Sequence, residues 1–331
     1  MKTVAAVLFL SIIVAMTAAA APAPVGAGFA VVELFTSEGC SSCPPADEAL
    51  VRLSALASRE RLPVYALEWH VDYWDYLGWK DPYGSRQASL RQEAYARSLA
   101  SSVFTPEAIV NGGLIANWAG DAGELEREAR SAAATPAPAS LELSVRRGPS
   151  PASLLVQART RGAPSRSQVL VALVEDGLGS RPTAGENAGQ ALVHSSVVRS
   201  FLVLPASGGE AALPIPAGMD LGRASMVGVV QDWTMRIDAA TRAALPDGAA
   251  SARLRGTVTD EAGRALAGVT VQACSGTVCI PARTDSAGAF RFDALAPGEW
   301  SLVAGPNARP VEVSLAAGQD LLLQPALPGS R

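Results

Sequence analysis

Two of the four cysteines of the chain, Cys40 and Cys43, are separated by two residues in the stretch ELFTSEGCSSCPPADEAL. A Cys-x-x-Cys spacing suits a redox pair, half of a metal site or a structural staple. A strand-like apolar run precedes the pair and a helix-like run follows it. We therefore expect both sulfurs at a helix start, where unpaired backbone N–H groups stabilise a thiolate. This placement favours the redox pair, with Cys40 as the exposed, attacking sulfur and Cys43 as the resolving one.

The predicted elements around the pair alternate between strands and helices. Apolar runs predict strands at residues 29–35, 63–69 and 108–110, with a hairpin partner at 114–118, and helical spacing and propensity predict helices at 46–59, 87–99 and 121–134. The order β-α-β-α-β-β-α resembles that of a thioredoxin-like domain. The resemblance implies an α/β thioredoxin-like domain over residues 28–134.

A thioredoxin-like site also implies a proline, normally in the cis form, that faces the two cysteines. Thr105 and Pro106 stand just before the predicted strand at 108–110, where that proline belongs. An ordinary strand-entry proline is the alternative interpretation. Because the context matches, we assign Pro106 to the catalytic set with Cys40 and Cys43, and Thr105 to substrate binding.

The stretch LEWHVDYWDYLGWKDPY, residues 67–83, is rich in aromatic side chains. All five tyrosines lie between positions 65 and 95, and three of the six tryptophans lie between 69 and 79. Since the stretch follows the strand end nearest the cysteines, it indicates a substrate-binding lid over them. A packing role as an aromatic core loop between domains is the alternative. The lid hypothesis assigns substrate binding to His70, Asp72, Tyr73, Trp74, Trp79 and Lys80.

The only two histidines, His70 and His194, bear on a rival hypothesis of metal binding. Thiolates and imidazoles suit copper or zinc, which would make the chain a copper-binding or copper-delivery protein that uses Cys40, Cys43 and a histidine. Neither histidine has ligand spacing to a partner, and no further ligands stand near the cysteines. We therefore expect no metal ligand and no cofactor. His194 is expected to be an ordinary satisfied residue, with a reach toward the cysteines as the alternative.

Two further units follow the first. After the linker TPAPA, short alternating or apolar runs predict a β-rich, sandwich-like domain over residues 139–245. Residues 252–326 contain RGTVTDEAGRALAGVTV, TDSAGAFRF and LAPGEWSL. These motifs resemble carboxypeptidase-regulatory-like, or transthyretin-like, β-sandwich modules. Such modules usually bind or space other domains and rarely catalyse.

The C-terminal unit contains the other cysteines, Cys274 and Cys279, on a tight predicted hairpin. Four residues separate them, so facing strand positions would fall within disulfide reach. We predict a structural disulfide between them. Two buried free cysteines are the alternative, because free cysteine packs as a small apolar residue.

Four longer motifs together carry a second resemblance. The motifs ELFTSEGCSSCPPAD, HVDYWDYLGWKDP, TPEAIVNG and VEDGLGSRPTAGENAGQALVHSSVVR closely resemble a family of secreted bacterial proteins known as DUF1223. The resemblance covers about residues 30–240. It implies a thioredoxin-like fold completed by a β-rich half, with a thiol-disulfide role and no settled substrate. The C-terminal module departs from the usual family pattern.

The N-terminus has the layout of a secretory signal peptide. Lys2 precedes an apolar run at residues 4–16 and the cleavage pattern Ala18-Ala19-Ala20, which together predict a signal peptide over residues 1–20. An uncleaved anchor is the alternative. No later stretch is long enough to span a bilayer, so we predict a periplasmic or secreted protein, in a compartment where thiols oxidise readily.

These patterns predict an exported thioredoxin-like protein that exchanges thiols with protein or small thiol or disulfide substrates. The formal net charge of −4 and the absence of a basic block argue against nucleic acid as a partner. Besides the copper hypothesis, a third class stays open: a non-catalytic envelope binding protein in which a disulfide between Cys40 and Cys43 only rigidifies the loop.

Overall fold

The structure is a computed structural model. It describes residues 26–115, 122–150, 152–246, 252–275, 278–305, 308–316, 318–323 and 327–328. The predicted signal peptide and part of the predicted strand at 114–118 lie outside the described residues. Within the described part of the chain, no helix is both long and apolar enough to cross a membrane.

The first region alternates strands and helices. Its elements are β1 (Ala30–Thr36), α1 (Pro44–Glu60), β2 (Val64–His70), α2 (Arg86–Leu99), β3 (Glu107–Val110), β4 (Gly113–Leu114) and α3 (Ala122–Ala134). Two prolines occupy the first turn of α1, where their missing N–H groups cost nothing. Ser85 caps α2, since its hydroxyl accepts a hydrogen bond from the backbone N–H of Ala88 at 3.2 Å.

The rest of the described chain consists of strands and one short 3-10 helix at Leu221–Arg223. The strands of the middle region are β5 (Ser140–Arg147), β6 (Ser153–Arg161), β7 (Ser167–Glu175), β8 (Leu178–Ser180), β9 (Leu192–His194), β10 (Val197–Pro205), β11 (Gly208–Pro214), β12 (Ala224–Asp232) and β13 (Ile237–Ala244). Those of the C-terminal region are β14 (Ala252–Thr259), β15 (Thr270–Ser275), β16 (Val278–Arg283), β17 (Ala289–Leu295), β18 (Gly298–Ala304), β19 (Val311–Leu315), β20 (Asp320–Leu322) and β21 (Leu327–Pro328). The protein is thus mostly β, with few helices and several sheets.

One eight-stranded sheet joins the first region to the middle region. Its strand order is β13-β12-β7-β10-β2-β1-β3-β4. Strands β1 and β2 are parallel, with Thr36 opposite His70, and β2 meets β10 through the single pair of Glu68 and Val197. Because parallel strands end at the same edge of a sheet, the residues that follow β1 and β2 lie side by side there.

The core of the first region lies on both faces of this sheet. Alternate residues of β1 point to opposite faces: Val32 and Leu34 pack with side chains of α1 and α3, whereas Val31 and Phe35 pack with Tyr95 of α2. Coverage by helices on both faces explains why all seven residues of β1 are buried.

The C-terminal region is a β-sandwich of two sheets. One contains β17, β14 and β20, with β21 beside β14, and the other has the order β16-β15-β18-β19. The sandwich contacts the middle region through a backbone hydrogen bond of 2.9 Å from Ala296 to Met219. Cys274 and Cys279 face each other across β15 and β16 and are joined by a disulfide.

Candidate functional site

The cysteine pair lies between the end of β1 and the start of α1. Cys43 immediately precedes the first residue of α1, and its backbone N–H donates to the carbonyl of Cys40 at 3.2 Å. Both cysteines are free and buried. The helix start therefore holds two reduced sulfurs at the carboxyl edge of the parallel strands.

The surroundings of the Cys40 sulfur favour its thiolate form. A hydrogen bond from the Cys43 thiol is the largest cause that lowers the pKa of Cys40 to about 6, and burial opposes it. The Ser42 hydroxyl, 3.2 Å from the sulfur, and Thr105 lower the pKa further. A sulfur with this pKa is mostly thiolate at neutral pH.

The Cys43 sulfur has the opposite character. Burial raises the pKa of Cys43 far above its ordinary value, and the hydrogen bond with Cys40 and the charge of Asp47 add to the rise. The hydroxyl of Thr36 also contacts Cys43 and donates a 2.6 Å hydrogen bond to Asp47. Cys43 therefore stays a thiol while Cys40 is ionised.

Thr105 and Pro106 stand directly beside this pair. The peptide bond between them is cis. The carbonyl oxygen of Thr105 lies 3.8 Å from the Cys40 sulfur and accepts a hydrogen bond from it when it is protonated. The Thr105 hydroxyl accepts a 2.8 Å hydrogen bond from the indole N–H of Trp74. The segment before β3 is thus anchored against the Cys40 side of the dithiol.

The expectation that Cys40 is an exposed sulfur was wrong, because the residue is only 1% exposed. The loop that connects β8 and β9 covers it. The side-chain amide of Asn187 donates to the carbonyls of Glu38 and Cys40, at 3.0 and 2.8 Å, and the N–H of Ser41 donates to the Glu186 carboxylate at 2.8 Å. No local pattern predicts this cover, since it comes from a segment almost 150 residues later in the chain.

The loop between β1 and α1, residues 37–43, is called the dithiol loop here. The aromatic stretch after β2 borders it through two tryptophans. Gly39 lies so close to Trp74 that an added Cβ would be 2.9 Å from the Trp74 Cβ. The Trp79 indole N–H donates to the carboxylate of Glu38 at 2.7 Å. Tyr73 is half-buried and its hydroxyl donates to Gln92 at 3.1 Å.

The other residues assigned to this lid lie elsewhere. Asp72 accepts a 2.5 Å hydrogen bond from the hydroxyl of Ser89, so it ties the aromatic stretch to α2. Lys80 is exposed, close enough to Asp75 for their charges to interact. His70 is buried behind the loop. Of the residues assigned to the lid, Trp74 and Trp79 thus contact the dithiol loop directly.

A fully buried cluster of charged side chains lies behind the dithiol loop. Its members, each no more than 2% exposed, are Glu38, Asp47, Glu68, His70, Asp81 and His194. His194 Nδ1 is 2.8 Å from Glu68 Oε1, and His70 Nδ1 is 2.8 Å from Asp81 Oδ2. The donor atoms of Glu68, His70 and His194 all lie within 4.8 Å of one another, a spacing that a metal ion could bridge. His194 therefore reaches the cluster behind the cysteines.

Carboxylates and imidazoles in this cluster stabilise one another's charged forms. Burial alone would lower the pKa of His70, but Asp81 and Glu68 raise it to about 10. Burial alone would raise the pKa of Glu68, but the two imidazoles lower it to about 2. For Asp47, burial and the charge of Glu68 raise the pKa to about 7. Asp47 is thus the carboxyl group of the cluster that changes protonation near neutral pH.

Sequence reasoning missed most of this cluster. Carboxylates such as Glu38, Asp47 and Glu68 are usually solvated, and nothing in their spacing distinguishes them. One signal was available: Glu68 lies inside an apolar strand flanked by Leu67 and Trp69. An acidic residue in a strand buried on both faces needs a buried partner.

Two sequence profiles match the chain. Residues 31–231 match the profile described as "Protein of unknown function (DUF1223)", which takes in more than half of the chain and includes both sulfurs, Pro106 and His194. The chain belongs to the DUF1223 family. Beyond the DUF1223 region, residues 253–328 match the carboxypeptidase regulatory-like domain. No curated protein matches this DUF1223 chain.

Solved structures similar to this DUF1223 protein include HBP35 of Porphyromonas gingivalis. The two share 13% identity over 88% of this chain and 99% of that chain, with a TM-score of 0.51, a likeness of fold alone. A structural-genomics crystal structure from Agrobacterium tumefaciens is 27% identical over 66% of this chain and 95% of that chain, with a TM-score of 0.46.

Proposed function

We propose that this chain is an exported thioredoxin-like protein that exchanges thiols and disulfides through Cys40 and Cys43. The observation that carries the proposal is the difference between the two sulfurs. The pKa of Cys40 is lowered to about 6, whereas the pKa of Cys43 is raised. Cys40 is therefore a thiolate that can attack a disulfide, and Cys43 is a thiol that can resolve the mixed disulfide afterwards. Dithiol exchange requires these two roles.

The reaction has two steps. The Cys40 thiolate attacks one sulfur of a substrate disulfide, the substrate S–S bond breaks, and the leaving thiolate takes a proton from solvent. Cys43 then loses its proton and attacks the Cys40 sulfur, which breaks the mixed disulfide and releases the second substrate thiol. The substrate disulfide is reduced and the protein is oxidised, and a small or protein dithiol in the same compartment returns it to the reduced state.

Asp47 is the group that takes the proton from Cys43. Its charge acts on Cys43, and Thr36 contacts both side chains. With its pKa raised to about 7, Asp47 is ionised in part at neutral pH and can accept a proton in the second step. The high pKa of Cys43 keeps that sulfur protonated until the mixed disulfide has formed.

Substrate access requires movement of the loop that covers Cys40. The polypeptide of a protein substrate would lie along Thr105 and Pro106, since the Thr105 carbonyl is beside the attacking sulfur. Trp74 and Trp79 flank the same loop and supply apolar surface for the substrate. The hydrogen bonds of Asn187 and Glu186 would break as the substrate enters.

Trapping of mixed disulfides tests the proposal. Cys43→Ser should accumulate a mixed disulfide with glutathione disulfide or with an oxidised model protein, because the resolving sulfur is absent. Cys40→Ser is the matched control and should trap nothing. If both variants behave as the parent protein does, the dithiol is not an exchange site. If dithiothreitol cannot reduce a disulfide between Cys40 and Cys43 in the parent protein, that disulfide has a structural role.

A further inference from the structure

The buried cluster contains an arrangement that dithiol exchange does not use. His70 Nε2 lies 3.3 Å and His194 Nδ1 lies 2.8 Å from the same oxygen, Glu68 Oε1. His70 Nε2 is fully buried and has no hydrogen-bond partner among the described residues. Two imidazole nitrogens and one carboxylate oxygen therefore converge on one point, and one of the nitrogens lacks a hydrogen bond there.

The opposite nitrogen of each imidazole is held by a further carboxylate. His70 Nδ1 is 2.8 Å from Asp81 Oδ2, and His194 Nε2 is 3.2 Å from Glu38 Oε1. Carboxylates that hold the outer nitrogen of a histidine are typical of metal sites, where they fix the ring orientation and the inner nitrogen as ligand. A salt bridge needs no such orientation of two separate rings.

The remaining acceptor positions of the outer carboxylates and of Glu68 are also occupied. Glu68 Oε2 accepts a 2.9 Å hydrogen bond from the N–H of Ser195, which leaves Oε1 for the convergence point. Trp79 donates to the second oxygen of Glu38, and the N–H of Tyr83 donates to the second oxygen of Asp81. Fixed donors thus hold the outer oxygens of Glu38, Asp81 and Glu68, and the two inner imidazole nitrogens face the remaining oxygen, Glu68 Oε1.

We propose that Glu68, His70 and His194 bind a divalent first-row transition-metal cation such as Zn²⁺. Two imidazoles and one carboxylate suit this class, whereas Mg²⁺ and Ca²⁺ prefer oxygen ligands alone. Zinc bonds to histidine nitrogen and carboxylate oxygen are about 2.0–2.2 Å long, so donor atoms within 4.8 Å of one another can surround the ion with small side-chain shifts. The cation takes the place of protons on the inner nitrogens, which leave to solvent.

A route to this site passes Tyr83. The Tyr83 ring packs edge-on against both imidazoles, at 5.2 and 5.8 Å between ring centroids. On its other side it lines a cavity of about 530 Å³ together with Arg199. Rotation of this single ring would open the imidazole pair to the cavity, which gives the cation an entry path separate from the covered dithiol.

The test uses the full chain with Cys40→Ser and Cys43→Ser combined, so that thiolates cannot bind the metal. This protein is expressed in zinc-supplemented medium, dialysed, and its metal content measured. We expect one equivalent of zinc, falling at least tenfold in occupancy after His70→Gln or His194→Gln. Glu186→Gln, which alters an exposed carboxylate on the loop between β8 and β9, is the control and should keep the zinc.

A second measurement applies if the histidine variants fail to fold. X-ray absorption of the Cys40→Ser, Cys43→Ser protein after Zn²⁺ loading should show only nitrogen and oxygen scatterers, with the multiple-scattering pattern of imidazole. A Cys40→Ser, Cys43→Ser protein without bound zinc, a bound ion without imidazole ligands, or unchanged zinc in folded histidine variants would overturn the proposal. The parent protein's thiol exchange is measured separately, so the two proposals fail independently.

Discussion

The side-chain amide of Asn187 donates a 2.8 Å hydrogen bond to the backbone carbonyl of Cys40, across a sequence separation of 147 residues. The same amide also binds the carbonyl of Glu38. A residue from the middle region thus fixes the dithiol loop of the first region and holds the cover over the Cys40 sulfur.

Removing this amide should expose the sulfur. Asn187→Ala deletes two buried hydrogen bonds, each worth about 0.5–1.5 kcal/mol, so we expect Cys40 in the reduced protein to react about tenfold faster with iodoacetamide. Quenched mass spectrometry measures the rate. Glu186→Gln is the matched control, because its amide oxygen can still accept from Ser41 and its rate should stay within twofold of the parent. Equal rates in Asn187→Ala and the parent would mean that the loop is not the barrier.

The alkylation rate of Cys40 should depend on pH with a midpoint near 6. Since the folded protein lowers the pKa of this thiol to about 6, the thiolate predominates above that pH and the rate falls as the pH drops below it. Cys43→Ala removes the hydrogen bond that lowers the pKa most, so the midpoint should move upward. A midpoint that is the same in both proteins would show that Cys43 does not set the pKa of Cys40.

The buried ion pair of Glu33 and Arg91 should matter for stability. Arg91 donates to both oxygens of Glu33, at 2.5 and 2.8 Å, and both side chains are almost completely buried. Arg91→Met leaves a buried carboxylate without its partner and should lower the free energy of unfolding by about 3–5 kcal/mol. Urea unfolding followed by tryptophan fluorescence measures the change.

A surface pair on the same helix provides the control for this prediction. Arg86 pairs with Glu93 at 3.2 Å while 59% of its side chain is exposed. Arg86→Met should change the free energy of unfolding by less than about 1 kcal/mol. Equal losses in the two variants would contradict the role of burial.

The two cysteine pairs should act independently. Replacing Cys274 and Cys279 with serine opens a short loop, with a sequence separation of 5, and should lower the stability of the C-terminal sandwich by ~2 kcal/mol. The rate of thiol exchange at Cys40 should stay unchanged. A calorimetric scan and an exchange assay on the same variant check both parts, and a slower exchange would link the sandwich to the site.

The local elements of the first region could be predicted from the sequence. The helix predicted at 46–59 is α1 at Pro44–Glu60, and the one predicted at 87–99 is α2 at Arg86–Leu99. Apolar spacing and prolines act within a few residues, so local patterns suffice for them. The pairing of β2 with β10 could not be predicted, because no local pattern records which distant strand completes a sheet.

The site could be predicted only where chemistry and spacing coincide. Cys40, Cys43 and Pro106 stand out by residue type and by position relative to predicted elements. The buried carboxylates do not stand out in this way. Glu68 is stabilised inside the sheet by two histidines: His70, two residues later in the same strand, and His194, which is 126 residues away. From sequence alone a charged residue is expected to be exposed to solvent, because the partner that allows its burial is known only from the fold.

The pairing of Glu68 with Val197 has a consequence for inheritance. The backbone N–H of Glu68 donates to Ser196 and its side chain accepts from Ser195, so the middle region supplies the neutralising surroundings of a residue in the first. A recombination event between residues 134 and 139 would leave that carboxylate buried without them. Gene exchange should therefore transmit both regions as one unit, whereas the C-terminal sandwich, which contributes no residue to the dithiol or the buried cluster described above, can be gained or lost between relatives.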